Sequence, residues 1–202
     1  MPSLSESKHD SYPCRVAIVG LGTVGRGVAE ILWQHEKEDN NAVQLAGILE
    51  KNRENQNLAD WVQRDQSLLY YSLEDLLADS TIQVIVETVG GQTFARELIR
   101  KVLESGRDVV TANKDLMAVH GEELLAIAEQ CGRKLLFEAS VTGAIPVIRL
   151  LQDYFHVDDI EKVSGIFNGT SNYILTEMEH KQLSFEIALR QAQNLGFAEA
   201  DP

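Results

Sequence analysis

Cys14-Arg15-Val16-Ala17-Ile18-Val19-Gly20-Leu21-Gly22-Thr23-Val24-Gly25 is the stretch that decides the fold. Its first six residues are a short β-branched run stopped by glycine, the pattern of a buried strand. From Thr23 to about His35, Val24, Val28, Ile31 and Leu32 recur at helical spacing. Between strand and helix lies a G-x-G-x-x-G turn. In such a turn Gly20 permits the tight bend, Gly22 lets backbone approach a pyrophosphate, and Gly25 allows close helix–strand packing. Leu21, Thr23 and Val24 complete the turn and open the helix, whose first N–H groups and partial positive charge suit phosphate oxygens. A glycine-rich turn can be purely structural. Placed after a strand, opening a helix and heading an alternating chain, this one points to a dinucleotide.

Working outward, residues 42–49 (AVQLAGIL) form a second apolar run, followed by the polar KNRENQN, and a weaker run covers 68–71. In SLEDLLADS, Ser72 suits a helix cap, and Glu74 and Asp75 suit the first turn. IQVIVETV (82–89), DVVTA (108–112) and KLLFEAS (134–140) read as strands, separated by helices near 92–105 and 120–131. Continuously apolar strands alternating with helices predict an α/β fold, a Rossmann-type doubly wound parallel sheet covered on both faces. The rhythm changes after about residue 141. Pro146 opens a helix over IPVIRLLQDYF, residues 159–169 (DIEKVSGIFNG) read as a strand ending in a turn, and helices follow near 171–180 and 184–195, the last ended by Gly196. The expected organisation is a loose tail over 1–13, a dinucleotide domain over 14–145 and an incomplete α+β domain over 146–202.

Cofactor type stays open at this level. Glu50 ends the second strand, slightly farther from Gly25 than the usual ~20 residues. A carboxylate there pairs with a ribose 2′-hydroxyl and favours NAD. Lys51 and Arg53, just beyond, would grip a 2′-phosphate and favour NADP.

The chain has 202 residues, 44% hydrophobic and 24% charged, so wholesale disorder is not expected. Eighteen Lys and Arg against 31 Asp and Glu give a net charge of −13. That balance argues against a nucleic-acid partner, which needs a basic face, and favours a small-molecule substrate. No apolar run reaches the ~18–20 residues of a membrane span, and the polar N-terminus lacks a signal-peptide core. Two cysteines, Cys14 and Cys131, are neither a disulfide framework nor a zinc spacing, and buried reduced thiols in a cytoplasmic protein are expected. His35, His120, His156 and His180 share no metal-ligand spacing.

Four further segments carry a resemblance: Val110-Thr111-Ala112-Asn113-Lys114, the run EASVTGAIP from Glu138 to Pro146, GIFNGTSNYIL from Gly165 to Leu175, and GFAEADP from Gly196 to Pro202. Together with the glycine turn, and in this order, they resemble the homoserine dehydrogenase family from about Cys14 to the last residue. The resemblance implies NAD(P)H-dependent reduction of L-aspartate 4-semialdehyde to L-homoserine, in the pathway to threonine, methionine and isoleucine. It implies that Lys114 contacts cofactor and substrate and is a candidate for proton transfer. By the same resemblance Glu199, with Asp201 beside it, faces the substrate, Gly196 contacts the cofactor through its backbone, and Thr88 and Asn113 line the nicotinamide side. Glu138, with the carbonyls of Val141, Gly143 and Ile145, matches a site for a monovalent cation such as sodium. Oxygen-only ligation suits a hard cation. Taken without the resemblance, Lys114 is a surface lysine, Glu199 and Asp201 are two acids near a chain end, and Glu138 could bond amides of the next helix.

The family's sequence continues past a GYAEADP-like segment into another substrate-binding aspartate, a second lysine, and the strands that complete the substrate and dimerisation domain. The 202 residues are therefore expected to be a fragment of a homodimer or larger assembly, with its own activity in doubt. Two other readings keep the glycine turn: another small-carbonyl reductase on the same nucleotide domain, and a non-enzymatic module that senses NAD(H). The first has no use for EASVTGAIP with GIFNGTSNYIL. The second leaves Lys114 and Glu199 without a role.

Overall fold

Strand β1 (Cys14–Val19) is central to a six-stranded, wholly parallel sheet, with β2 (Val43–Leu49) and β4 (Val84–Glu87) on its two sides. The computed structural model describes residues 13–37, 42–50, 62, 66–143, 145–155 and 159–198. With β3 (Leu69–Tyr70), β5 (Asp108–Thr111) and β6 (Leu135–Leu136), the spatial order is β3-β2-β1-β4-β5-β6. That is the order of a doubly wound nucleotide-binding sheet, and it reverses direction between β1 and β4.

Alternation along the strands sorts the core into two layers. Ala17 and Val19 of β1 join Ile85, Val109 and the apolar stripes of α2 (Leu73–Ala78), α3 (Thr93–Glu104) and α4 (Lys114–Gln130) on one face. Ile18, Leu45 and Ile48 face the other way, onto Ala29 of α1 (Thr23–Lys37) and onto Val62. Both faces are covered, which is why the strands are apolar throughout. Ser72 caps α2 as expected, its hydroxyl accepting from the Asp75 amide at 3.0 Å. One buried cation is structural. The Arg107 guanidinium donates to the carbonyls of Ile82, Leu77 and Asp79 at 3.1, 2.8 and 3.0 Å, closing the end of α2 onto β5.

The chain divides into two units, Met1–Ser140 and Val141–Pro202. In the second, Val147–Arg149 forms one α-helical turn, α5, that widens into a π-helical turn over Leu150–Tyr154. Helices α6 (Gly169–Lys181) and α7 (Phe185–Asn194) pack through Ile174, Ala188 and Ala192.

Four expectations are corrected. Helix α4 begins at Lys114 rather than near 120, because Asn113 caps it and Leu116 is already buried in its first turn. The strand expected over 134–140 is only Leu135–Leu136, followed by a 3-10 turn at Glu138–Ser140. Residues 159–168 form no regular strand; they are exposed, without a neighbouring strand among the described residues to complete a ladder. Cys14 and Cys131 are free thiols but half-buried, not buried.

Candidate functional site

The carboxyl ends of β1, β4 and β5 finish in register, with Val19 beside Glu87 and Glu87 beside Thr111. The crevice outside the reversal point of such a sheet is where nucleotides bind. Gly20 leaves β1 with φ +97°, a conformation that L side chains rarely adopt. A Cβ on Gly25 would lie 1.9 Å from the Gly20 carbonyl oxygen, so only glycine lets α1 start this close to the turn. A Cβ on Gly22 would meet nothing within 4 Å. The turn is thus held by Gly20 and Gly25, and Gly22 faces open space where a ligand backbone can approach. Leu21 packs below, against the layer that holds Ala29, while Val24 on the first turn of α1 is 55% exposed. Thr23, the first residue of α1, is exposed too.

Beside the turn, a cleft of about 210 Å³ is lined by Val19, Gly20, Leu49 and Glu50 from β1 and β2 and by Val89 and Phe94 from beyond β4. Glu50 follows β2 directly, with its amide donating to the Tyr70 carbonyl at 3.0 Å. The sequence therefore located the strand end correctly. Lys51 and Arg53, the other half of the cofactor-preference question, lie outside the described residues.

On the β4 side of the turn lie the loops after β4 and β5. The Thr88 hydroxyl donates back to the Gly20 carbonyl at 2.8 Å, bracing the glycine turn from beneath. Asn113 is used twice within the protein. Its Oδ1 accepts from the Leu116 amide at 3.1 Å, and its Nδ2 donates to the Gly91 carbonyl at 2.7 Å. Lys114 is the first residue of α4 and exposed, with no bonded partner among the described residues. A lysine at a helix N-terminus opposes the helix dipole, so this position costs local stability.

Sequence reasoning missed Glu87, which the structure places at the centre of these loops. It is 0% exposed; its Oε1 accepts from the amides of Val89 and Gly90 at 2.9 and 3.3 Å, and its Oε2 accepts from the Thr111 hydroxyl at 2.5 Å. The Thr111 hydroxyl in turn accepts from the Asn113 amide at 3.1 Å. The available signal was one acid at a core-facing position, two residues after Ile85, in an otherwise apolar run.

In the second unit, Gly196 has φ +75° and closes α7, with its amide donating to Gln193 and the Phe197 amide donating to Ala192. This is a paired C-terminal cap that glycine suits. The Thr170 hydroxyl donates to the Phe197 carbonyl, and the Tyr173 and Phe197 rings meet edge to face at 5.1 Å. Glu199 and Asp201 lie outside the described residues. The expected cation site draws on both units. Glu138 belongs to the first unit's 3-10 turn, while Val141, Gly143 (φ +62°) and Ile145 belong to a loop of the second. The Ile145 carbonyl already accepts from the Thr142 hydroxyl at 3.0 Å and the Val147 amide at 2.8 Å. It is therefore already engaged by two donors. Among the described residues no group of three or more His, Cys, Asp or Glu could hold a metal ion, and no helix is long and apolar enough to cross a membrane.

The left-handed Gly20, the open Gly22 and the cleft together fit a dinucleotide, and comparison with known proteins agrees. The family profile described as "Homoserine dehydrogenase, NAD binding domain" matches residues 20–138, and that described as "Homoserine dehydrogenase" matches residues 146–202. The homoserine dehydrogenase of Bacillus subtilis (strain 168) is 42% identical over 196 residues, covering 93% of this chain and 44% of that protein. The crystal structure of a homoserine dehydrogenase from Thiobacillus denitrificans has a TM-score of 0.79 at 38% identity, over 94% of this chain and 44% of that one. A hyperthermophilic archaeal homoserine dehydrogenase in complex with NADPH shares the fold, with a TM-score of 0.75 at 24% identity, over 94% of this chain and 63% of that one. The chain spans less than half the length of the curated relatives it matches. With two profiles in order along one chain, and with the first lying over the glycine turn and strands β2 to β6, the chain belongs to the homoserine dehydrogenase family.

Proposed function

We propose that this chain supplies the NAD(P) site and the start of the substrate unit of a homoserine dehydrogenase, interconverting L-aspartate 4-semialdehyde and L-homoserine. The open approach at Gly22, between a left-handed Gly20 and the N-terminus of α1, is the observation that carries the cofactor half. The glycine turn would hold the pyrophosphate, Glu50 would face the adenosine ribose, and the loops that carry Thr88, Asn113 and Lys114 would hold the nicotinamide half. When bound, the dinucleotide accepts or delivers the hydride. Lys114 works on the oxygen: its ammonium and the partial positive end of α4 both favour negative charge growing on a carbonyl oxygen. Glu199 and Asp201 meet the amino-acid end of the substrate, and Gly196 offers its backbone to the cofactor. Glu50 favours a free ribose hydroxyl, so the NAD-or-NADP preference turns on Lys51 and Arg53. A sodium ion at Glu138, Val141, Gly143 and Ile145 fits less well, because the Ile145 carbonyl is already engaged by two donors, and no step is routed through it. A homodimer or larger assembly in the cytoplasm belongs to the same reading.

The test is L-homoserine-dependent reduction of NAD⁺ and NADP⁺, followed by nicotinamide absorbance. It compares the 202-residue chain with a chimera that continues after Pro202 as the matching part of the B. subtilis relative. The proposal expects the chimera to turn over homoserine, with the chain alone at least ~10²-fold slower and Lys114→Ala lowering the chimera's kcat about as much. A preference for an unrelated small carbonyl would support the reductase alternative. Dinucleotide binding without turnover by the chimera would support the sensing module.

A further inference from the structure

We propose that Glu87 is a positioning residue, whose buried carboxylate presets the two loops that receive the nicotinamide half of the dinucleotide. The proposal rests on the NAD(P) reading above.

Position 87 faces the core, two residues after fully buried Ile85, where an aliphatic side chain would pack without desolvating a charge. A buried carboxyl group costs desolvation that its hydrogen bonds have to offset, so stability alone does not account for an acid here. What Glu87 touches is informative. Its oxygens take the amides of Val89 and Gly90 from one loop and the hydroxyl of Thr111 from the other. Val89 packs against the core, but Gly90 and Gly91, both with φ +70°, bring no side chain to hold the tip of this loop. Hydrogen bonds hold it. Three consecutive residues are pinned: Val89 and Gly90 through their amides to Glu87, and Gly91 through its carbonyl to Asn113 Nδ2. Thr111 links the two anchors, donating to Glu87 and accepting from the Asn113 amide, and Asn113 caps the helix that begins with Lys114. One carboxylate therefore sets both the Gly-Gly loop and the start of α4. Both loops leave the β4–β5 side of the glycine turn; Val89 also reaches the cleft that Glu50 lines from β2, whereas Gly90, Gly91 and Asn113 do not line it. A ligand crossing the turn meets Glu50 with one end and the preset loops with the other.

Binding to the 202-residue chain tests this without turnover. Two pairs of probes are titrated: NADPH with 2′-phospho-ADP-ribose, and NADH with ADP-ribose, the second member of each lacking only the nicotinamide. In Glu87→Gln the amide oxygen still accepts from Val89 and Gly90, but the link to Thr111 loses its charge. Thr111→Val removes that link at nearly constant shape, and Thr111→Ser keeps it. Expected is a loss of about tenfold in affinity for the intact dinucleotide in Glu87→Gln and Thr111→Val. Affinity for the nicotinamide-free partner should stay within about twofold, and Thr111→Ser should behave as wild type. Amide exchange at Gly90 and Asn113 should quicken in Thr111→Val. If Glu87→Gln does not fold, the Thr111 pair decides alone. Equal losses for both members of a pair, or no loss for either, would overturn the proposal. A wild-type chain that binds neither member would instead overturn the NAD(P) reading, and the proposal with it.

Discussion

Gly20, Gly22 and Gly25 look alike in the motif, yet the structure gives each a different physical task. The left-handed backbone is at Gly20, and the steric limit is at Gly25. Two outcomes follow from the distances. Gly25→Ala forces a methyl against the Gly20 carbonyl, which is backbone and cannot swing aside, so a loss of about 2–4 kcal/mol in chemical denaturation is expected. Gly22→Val should unfold within about 1 kcal/mol of wild type and yet lose dinucleotide affinity by ~10²-fold or more, since its side chain fills the approach rather than the fold. The glycines were legible because a turn of this kind is written in neighbouring residues. Glu87 was not, because an acid closing an apolar run reads as an ordinary strand end. Its partners Thr111 and Asn113 are distant in sequence and meet it only through the register of β4 and β5.

Elements were legible in proportion to how much of their stability is local. Helix α2 announced itself through Ser72 and its two acids, and β1 and β2 through their apolar runs. The start of α4 was hidden because its cap, Asn113, sits in a segment whose other residues read as chemistry. The segment 159–168 carries the β-branched Ile160, Val163 and Ile166, but such residues make a strand only where another strand pairs with them. Two tests belong at this scale. Arg107→Met keeps the aliphatic stem but leaves the carbonyls of Leu77 and Ile82 without the guanidinium and that of Asp79 with the Ile82 amide alone, and should cost about 2–4 kcal/mol in urea unfolding. A change below about 1 kcal/mol would remove Arg107 as the closure of α2. Asp79 provides a pH test. Thr81, through its hydroxyl and its amide, and then the Tyr70 hydroxyl hold the carboxyl below its ordinary 3.8. A lowered native value means the folded state favours the ionised form. The contribution is complete above about pH 4 and fades as pH falls through the lowered value. Thermal midpoints of Asp79→Asn should converge on those of wild type as pH drops from 5 to 2, and a constant gap would contradict the assignment.

Across the whole chain, the two units differ in how much they bury. The first has two core layers around a sheet, whereas the second gathers Ile174, Ala188 and Ala192 and leaves Tyr154, Ile166 and Leu175 more than 60% exposed. Residues 1–140 expressed alone should therefore fold and bind a dinucleotide within about threefold of the 202-residue chain, with cooperative melting as the check on folding. Sequence reached the sheet class, the covered faces and the family at this scale, since alternation and motif order survive without knowledge of contacts. It could not reach the order in which the strands lie side by side, because that depends on how crossovers place them. One measurement bears most directly on the whole reading: calorimetric titration of the 202-residue chain with NADPH and with NADH, beside Gly22→Val under the same conditions. Saturable binding of at least one dinucleotide near one per chain, lost in a variant that melts like wild type, is the expected result. A folded chain that binds neither dinucleotide, or a Gly22→Val chain that binds as well as wild type, would contradict it.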